Sequence, residues 1–331
     1  MIAVTGSSGF VGVALIAHLA ERGHAFRAIA REDYVNSTAF QGCNTVIHLA
    51  GLAHRGQTSL RDFRRINRDL ALETAKAAGK SGVSRFVYVS SSKALRDFSN
   101  SEIPLDESSQ ANPGCDYGLS KLEAEKALMA LALEDVRNPR ITIVRPALVV
   151  GSPPKANLRM LAKIAMLKPD WLWRELLSPF KAKRSFLSLG NLCEALELCA
   201  LQPGTASHLF HVADEAIYST HELFALLQRA AERLQMSSSP PTRNGNRLEG
   251  NVFPLTDHLR RRLLGGPIDW SARLCLTILR KPRIYEAIAR PLVLNGEKIR
   301  KEFCWRPKFE IDVEIQHIID HLINSKEDLN S

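Results

Sequence analysis

The sequence predicts an α/β chain, a doubly wound and mainly parallel sheet with a smaller C-terminal lobe interleaved with it. Three observations carry that expectation. The chain opens on a short apolar run, MIAVT, followed at once by glycines and then by helical apolar spacing. Further apolar runs, at 45–50 and 85–92, alternate with helix-patterned stretches, as parallel β–α units require. The 331 residues, 45% of them hydrophobic, suffice for a large core and, as a prior, for two domains.

Composition narrows the classes. With 19 glycines and 16 prolines, the chain is neither collagen-like nor low-complexity. No apolar run approaches the ~18 residues of a spanning helix. Residues 10–20 (FVGVALIAHLA) lack a basic flank before them and a clean small-residue cleavage site after them, so they read as a buried helix rather than a leader. The six cysteines (43, 115, 193, 199, 275 and 304) form no CxxC and no zinc ladder. They read as free thiols, which favours a reducing cytoplasm. The net charge of +9 suits an anionic partner: nucleic acid, a phosphate-bearing small molecule or a membrane surface. No helix-turn-helix, RNP or zinc pattern supports nucleic acid, so none is expected.

MIAVT reads as a buried strand. Gly6-Ser-Ser-Gly9-Phe10-Val11-Gly12 follows, with GxxGxxG spacing, and then VALIAHLAERGH as a helix. Strand, glycine turn and helix together give the motif meaning. A pyrophosphate must approach main-chain N–H groups at the helix N-terminus, and Gly12 lets helix and strand pack closely. The alternative is an ordinary strand–helix turn. Residues 24–31 read as the second strand, at whose end an acid would hold an adenosine ribose 2′-OH. Here stand Ala30 and Arg31. An arginine suits a 2′-phosphate, hence NADP(H), or it is a solvated strand-end charge, and Glu32 and Asp33 blur it. Thirteen residues separate Arg31 from Thr45. One connection fits, so the usual third strand is expected to be missing or vestigial and the adenine pocket open.

The run 85–92 (RFVYVSSS) reads as a strand ending in hydroxyls, where ligands bind such sheets. Tyr117-Gly-Leu-Ser-Lys121 heads a helix, with tyrosine and lysine on one face. A nearby ammonium is expected to lower the phenol pKa and let Tyr117 exchange a proton near neutrality. Alone, YxxxK means little; after the glycines and Ser90–Ser92 it is far stronger.

With these residues in hand, the sequence resembles the extended short-chain dehydrogenase/reductase family, the NAD-dependent epimerases and dehydratases, with a Rossmann-like fold. TGSSGFVG matches the family's cofactor turn, and HLAGLAH (48–54) its fourth-strand motif. Asn67 matches an asparagine that orders the active site. Ser92 lies 25 residues before Tyr117, as in UDP-galactose 4-epimerases. Arg145-Pro146 and Val150-Gly151 match a further segment, and Asn295–Pro307 a closing one. The run 155–157 (KAN) and 183–192 (KRSFLSLGNL) look most like the nucleotide-sugar 4-epimerases and 4-ketoreductases of bacterial surface-polysaccharide (O-antigen) clusters.

The resemblance implies roles. Tyr117 is the general acid/base, Lys121 binds the nicotinamide ribose, and Ser92, with Ser91, holds the reacting oxygen. Gly6, Gly9, Phe10, Val11, Gly12, Arg31, Leu49, Ala50, Gly51, Asn67, Ser90 and Pro146 join Tyr117 and Lys121 around NADP or NAD. Lys155, Asn157 and Arg184, with Ser92, face a UDP-sugar, arginine by a bidentate grip on phosphate. For Asn67 a helix cap, and for Lys155 a solvated charge, stand as alternatives. The sequence departs from the family at Cys115-Asp116, where proline is common, and at Lys93-Ala94, where a dehydratase carries Asp-Glu; dehydratase chemistry is therefore excluded.

The expected division is a cofactor domain over 1–150, with return segments near 184–200 and 207–222, and a mainly substrate-binding domain over 151–331. Ser219 or Thr220 is the expected cap of the second return helix. Trp171 and Trp173 pack in the lobe or stack on a base or sugar. Residues 236–246 read as a loop. Residues 258–283 carry seven Arg or Lys against one acid, as a solvated basic face or, alternatively, a peripheral membrane contact. The leading functional expectation is a UDP-4-keto-6-deoxy-N-acetylhexosamine 4-reductase. The alternative is a UDP-glucose or UDP-N-acetylglucosamine 4-epimerase, and the remote one a nucleotide sensor without catalysis. A homodimer is implied by resemblance only.

Overall fold

The computed structural model describes residues 1–53, 58–166, 173–174, 177–178, 180–201, 208–237 and 289–327. Its main sheet has six parallel strands. They are β1 (Ile2–Thr5), β2 (Phe26–Ala28), β3 (Thr45–His48), β4 (Arg85–Val89), β5 (Arg140–Pro146) and β8 (His208–Val212), in the order β2-β1-β3-β4-β5-β8. Two further short strands, β6 (Leu148–Val150) and β9 (Ile217–Ser219), flank β7 (Lys183–Ser188) in a second sheet. The order reverses about β1, so the crevice between the ends of β1 and β3 is the switch point where such sheets bind ligands.

β1 and β3 are buried on both faces, which is why their sequences run apolar instead of alternating. On one face lie α1 (Phe10–Glu21) and α7 (Leu189–Leu201), through Leu15, Leu19, Leu192 and Leu196. On the other lie α3 (Leu70–Lys80) and α5 (Asp116–Glu134), through Ala71, Ala75, Ala124 and Leu128. The alanines let α3 sit close to the strands. Truncating a fully buried leucine such as Leu19 to alanine costs about 2–5 kcal/mol.

The third strand is missing, as expected. β2 is shorter than the sequence predicts and forms the sheet edge. Residues 29–44 instead carry two 3₁₀ turns, Arg31–Asp33 and Ser37–Phe40, and bury Tyr34 and Phe40 against the sheet. The return segments divide differently from the sequence expectation. β7 pairs in the small sheet while its helix α7 covers the large one; β8 joins the large sheet, but the following α8 (Thr220–Ser237) does not. That helix packs with α6 (Ala156–Ala165) and α10 (Ile311–Glu327) in a separate core holding Phe224, Leu227 and Ile318. Ser219 caps it reciprocally: the Glu222 N–H donates to Ser219 Oγ at 3.1 Å, and the Ser219 N–H donates to Glu222 Oε2 at 2.7 Å. Trp173 is buried in the same core, whereas Trp171, 238–246 and 258–283 lie outside the described residues. Cys43, Cys115, Cys193, Cys199 and Cys304 are free thiols. No described helix is long and apolar enough to cross a membrane.

Candidate active site

The glycine turn follows β1 directly. Gly6 has φ +69° and a Cβ there would stand 2.6 Å from the Ala50 nitrogen; a Cβ on Gly12 would collide with the Gly6 carbonyl. Only glycine permits both. α1 then begins at Phe10 with Gly9 as N-cap and no side-chain cap. Its first N–H groups, those of Phe10 and Val11 among them, therefore have no side-chain acceptor and suit an anion. Leu49, Ala50 and Gly51 leave β3 beside this turn. Sequence reasoning missed Tyr34, whose hydroxyl accepts the Gly6 N–H at 2.8 Å. Arg31 is exposed at the first 3₁₀ turn, and among the described residues no carboxylate pairs with it.

Below the crevice, His48 Nδ1 lies 2.9 Å from Thr5 Oγ1. Burial, aided by the Lys121 charge, pushes His48 down to about 3, so the ring is neutral.

Tyr117 and Lys121 stand on the first turns of α5. Cys115 replaces the proline as its N-cap, Sγ accepting the Gly118 N–H at 3.4 Å. A Cβ on Gly118 would collide with the Lys93 carbonyl, so α5 is pressed onto α4 (Ser92–Leu95). This contact brings Tyr117 to the hydroxyl strand end. Ser91 hydrogen-bonds the Tyr117 side chain and caps α4, accepting the Lys93 N–H at 3.2 Å. Ser92, favoured by the 25-residue spacing, opens α4 and is buried. The phenol does not follow the expected direction. Burial lifts it to about 12, against the Ser91 bond. Desolvation outweighs that bond, and Tyr117 rests as a proton donor. Phe63 meets it edge-on at 5.9 Å.

Lys121 is buried. Its Nζ donates to the Val89 carbonyl at 2.9 Å and lies 4.6 Å from the centre of the Tyr88 ring. Burial pulls it down to about 8, and Glu125 pulls it up. Asn67 is no helix cap. It sits in a π-helical turn, Arg64–Asp69, and braces α5 to the strand-end loop. Its Oδ1 accepts the Leu52 N–H at 2.7 Å, and Nδ2 donates to Leu52 O at 3.2 Å and Ser120 Oγ at 3.0 Å. The Asn67 carbonyl accepts the Tyr88 hydroxyl at 2.9 Å. A Cβ on Gly51 would stand 3.1 Å from Asn67 Oδ1 and 3.3 Å from Lys121 Nζ. A side chain at position 51 would therefore crowd both the Asn67 amide and the Lys121 ammonium.

The other candidates are more scattered. The Ser90 hydroxyl donates to Glu125, inside the protein. Pro146 ends β5, buried beside Val212. Lys155 is exposed at the start of α6; Asn157 lies in that helix, its side chain outside the described residues. Arg184 donates to Arg290 O at 2.7 Å and Asp97 O at 3.2 Å, with burial lowering its guanidinium to about 10. Arg290, unmarked by the sequence reading, lies over Phe98 at 4.6 Å and donates to Asn100 Oδ1 at 3.3 Å. A cavity of about 210 Å³ opens here, lined by Asp97, Phe98, Asn100 and Asn112 among others. Among the described residues, no cluster of His, Cys, Asp or Glu would hold a metal ion.

Comparison with known proteins agrees with this geometry. The family model "NAD dependent epimerase/dehydratase family" matches residues 2–213. A UDP-glucose 4-epimerase of Vibrio cholerae is 31% identical over 258 residues, covering 70% of this chain and 76% of that protein. The fold is that of two solved structures. RMD from Pseudomonas aeruginosa complexed with NADPH has a TM-score of 0.67 at 20% identity, over 96% of this chain and 97% of that one. A UDP-N-acetylglucosamine 4-epimerase from Bacillus cereus has a TM-score of 0.66 at 17% identity, over 97% and 98%. The glycine turn, the Tyr117–Lys121 pair at the sheet's carboxyl edge and the match over 2–213 agree: this chain belongs to the NAD-dependent epimerase/dehydratase family and is an enzyme of the extended short-chain dehydrogenase/reductase type.

Proposed function

We propose that the protein carries out oxidoreduction at C4 of a UDP-sugar, as a 4-epimerase. The carrying observation is the pairing of Tyr117 with Ser91 at the end of β4, one helical turn from Lys121, whose Nζ with Asn67 borders the side-chain-free position of Gly51. The identity with a UDP-glucose 4-epimerase supports the substrate class and the reaction. A nicotinamide cofactor, when bound, supplies hydride acceptance and donation. Gly6, Gly9, Gly12 and the N–H groups of Phe10 and Val11 hold its pyrophosphate, and Leu49–Gly51 and Pro146 bound its ring. Lys121, fixed by Val89 O, donates to its ribose. Once its own proton has been released, Tyr117 takes the C4 hydroxyl proton on oxidation and returns it on reduction, with Ser91 and Ser92 orienting the oxygen. Arg184, Lys155 and Asn157, joined by Arg290, take the diphosphate. The cofactor domain is 1–150 with its returns, and the substrate lobe lies mainly in 151–331.

A second reading is a 4-ketoreductase of surface-polysaccharide biosynthesis. It is favoured by Arg31 where an acid would grip NAD, and by a resting Tyr117 that already holds its proton. The two separate on freshly purified protein, denatured and assayed for released nucleotide. Near one equivalent of NAD, with interconversion of UDP-glucose and UDP-galactose, supports the epimerase. An empty protein that binds added NADPH supports the reductase, and failure to bind either nucleotide refutes both. Tyr117→Phe is expected to lower turnover about 10²–10⁴-fold while nucleotide binding persists. A cytoplasmic homodimer is part of the proposal; light scattering giving a monomer mass would remove the dimer.

A further inference from the structure

A buried polar chain runs behind the catalytic pair. The Ser90 hydroxyl, just past β4, donates to the Glu125 carboxylate on α5. Arg145 on β5 grips the same carboxylate with two nitrogens, Nη2 to Oε2 at 2.5 Å and Nε to Oε1 at 2.9 Å. Arg145 Nη1 lies 3.5 Å from Nε2 of His211 on β8. His211 Nδ1 donates to the Leu105 carbonyl at 3.0 Å, and its N–H donates to Glu107 at 2.8 Å. Leu105 in turn bonds the Val293 carbonyl and the Asn295 N–H, each at 2.8 Å. Glu125, Arg145 and His211 are 3%, 5% and 0% exposed.

Burying two charges is expensive, and an apolar pair of equal volume is often as stable. The gain must come from where the charge is put. Glu125 lies four residues after Lys121, on the same face of α5. The titratable and charged groups around Lys121 are Tyr88 from β4, His48 from β3, and Tyr117 and Glu125 from α5; Asn67 adds a neutral amide from the π turn. His48 is neutral and both tyrosines keep their protons, so Glu125 is the anion among them.

We propose that Glu125 is a positioning residue for Lys121: clamped by Ser90 and Arg145, it fixes an anion one helical turn behind the lysine, and His211 ties that turn to the Leu105 segment. The inference rests on the reading of Tyr117 and Lys121 as the catalytic pair. Burial pulls Lys121 toward neutrality and Glu125 opposes it. Removing the anion while keeping Arg145 therefore lowers the pH at which the ammonium is lost.

The test is Glu125→Gln, which keeps the size, retains one acceptor oxygen and removes the charge. NADH affinity, read by fluorescence from pH 6 to 9, is expected to fall off near pH 8 in the wild type. In the variant it is expected to fall off about one pH unit lower, a roughly fivefold loss at pH 8. Glu125→Asp should restore part of the limb. A double variant, Glu125→Met with Arg145→Met, removes the chain with an apolar pair and should shift the limb too, so a folding defect in the single variant does not decide the matter. Competitive acetylation of Lys121, read by mass spectrometry against pH, needs no cofactor. A folded variant with lowered melting temperature and a wild-type curve would overturn the inference and leave a structural role. Wild type that binds neither NADH nor NADPH would refute the proposed function, and the acetylation curves would still decide the role of Glu125.

Discussion

Single residues set the cofactor turn, and Tyr34 shows how. Its hydroxyl is the acceptor for the Gly6 N–H, at a point where the chain has just entered a left-handed conformation. Tyr34→Phe leaves that donor without its partner inside the protein, at a cost of about 1–3 kcal/mol. The ring still fills the space against His48, where it packs edge-on at 6.3 Å. The expected outcome is a several-fold weaker NAD(H) affinity with turnover at saturation preserved, measured by titration calorimetry and steady-state kinetics. Equal affinity in both proteins would show that the turn holds itself. Gly12→Ala acts on the same turn more severely, because the clash is with the Gly6 backbone, which cannot swing away. That variant is expected to lose nucleotide binding altogether while keeping its far-ultraviolet dichroism.

Among the elements, α5 carries the proposed catalytic pair, and a cysteine caps its start. A thiol is a weak acceptor, and the Cys115 cap is long at 3.4 Å. Cys115→Ser supplies a better cap and is expected to raise the melting temperature, whereas Cys115→Ala removes the cap and costs about 0.5–2 kcal/mol. If alanine and serine melt alike, the contact with α4, not the cap, holds the helix start. This element also shows what the sequence could say. Tyr117, Lys121 and the glycine turn were legible because each motif is local, a fixed spacing on one helix or one turn. The missing third strand was legible by length alone. The partners were not. Tyr34 reaches Gly6 across 28 residues, Glu125 reaches Arg145 across 20, and Arg290 reaches Asn100 across 190. Periodicity likewise gives α8 an apolar face without naming what covers it, and the helix packs in the small-lobe core instead of on the large sheet. The expected ammonium effect on Tyr117 failed for a related reason: the spacing shows the neighbour, but only the fold shows the burial.

For the whole molecule, buried histidines govern the acid side. His48 is held near 3 by burial and the Lys121 charge, and His211 near 4 by burial and Arg145. Both pKa values are depressed below the ordinary histidine range, so the folded protein binds fewer protons than the unfolded chain. Their stabilising contribution is complete above about pH 6.5 and is lost as pH falls toward 4 and 3. By pH 5 each has lost about 2 kcal/mol. Asp214 works against them. Burial lifts it to about 6, so it favours folding below that pH, and descending from pH 7 to 5 returns roughly 1 kcal/mol. The carboxylates of Glu222 and Asp135, held down to about 2 by Lys183 and Arg137, lose their contributions mainly below about pH 4.5. Stability is therefore expected to drop by about 2–3 kcal/mol between pH 7 and pH 5, before the carboxylates contribute. Urea unfolding at pH 7, 6 and 5 measures this directly, and a midpoint unchanged over that range would contradict it. His211→Gln keeps an amide donor near the Leu105 carbonyl and does not titrate. Its urea midpoint should fall less steeply than the wild type's over the same interval, whatever its stability at pH 7.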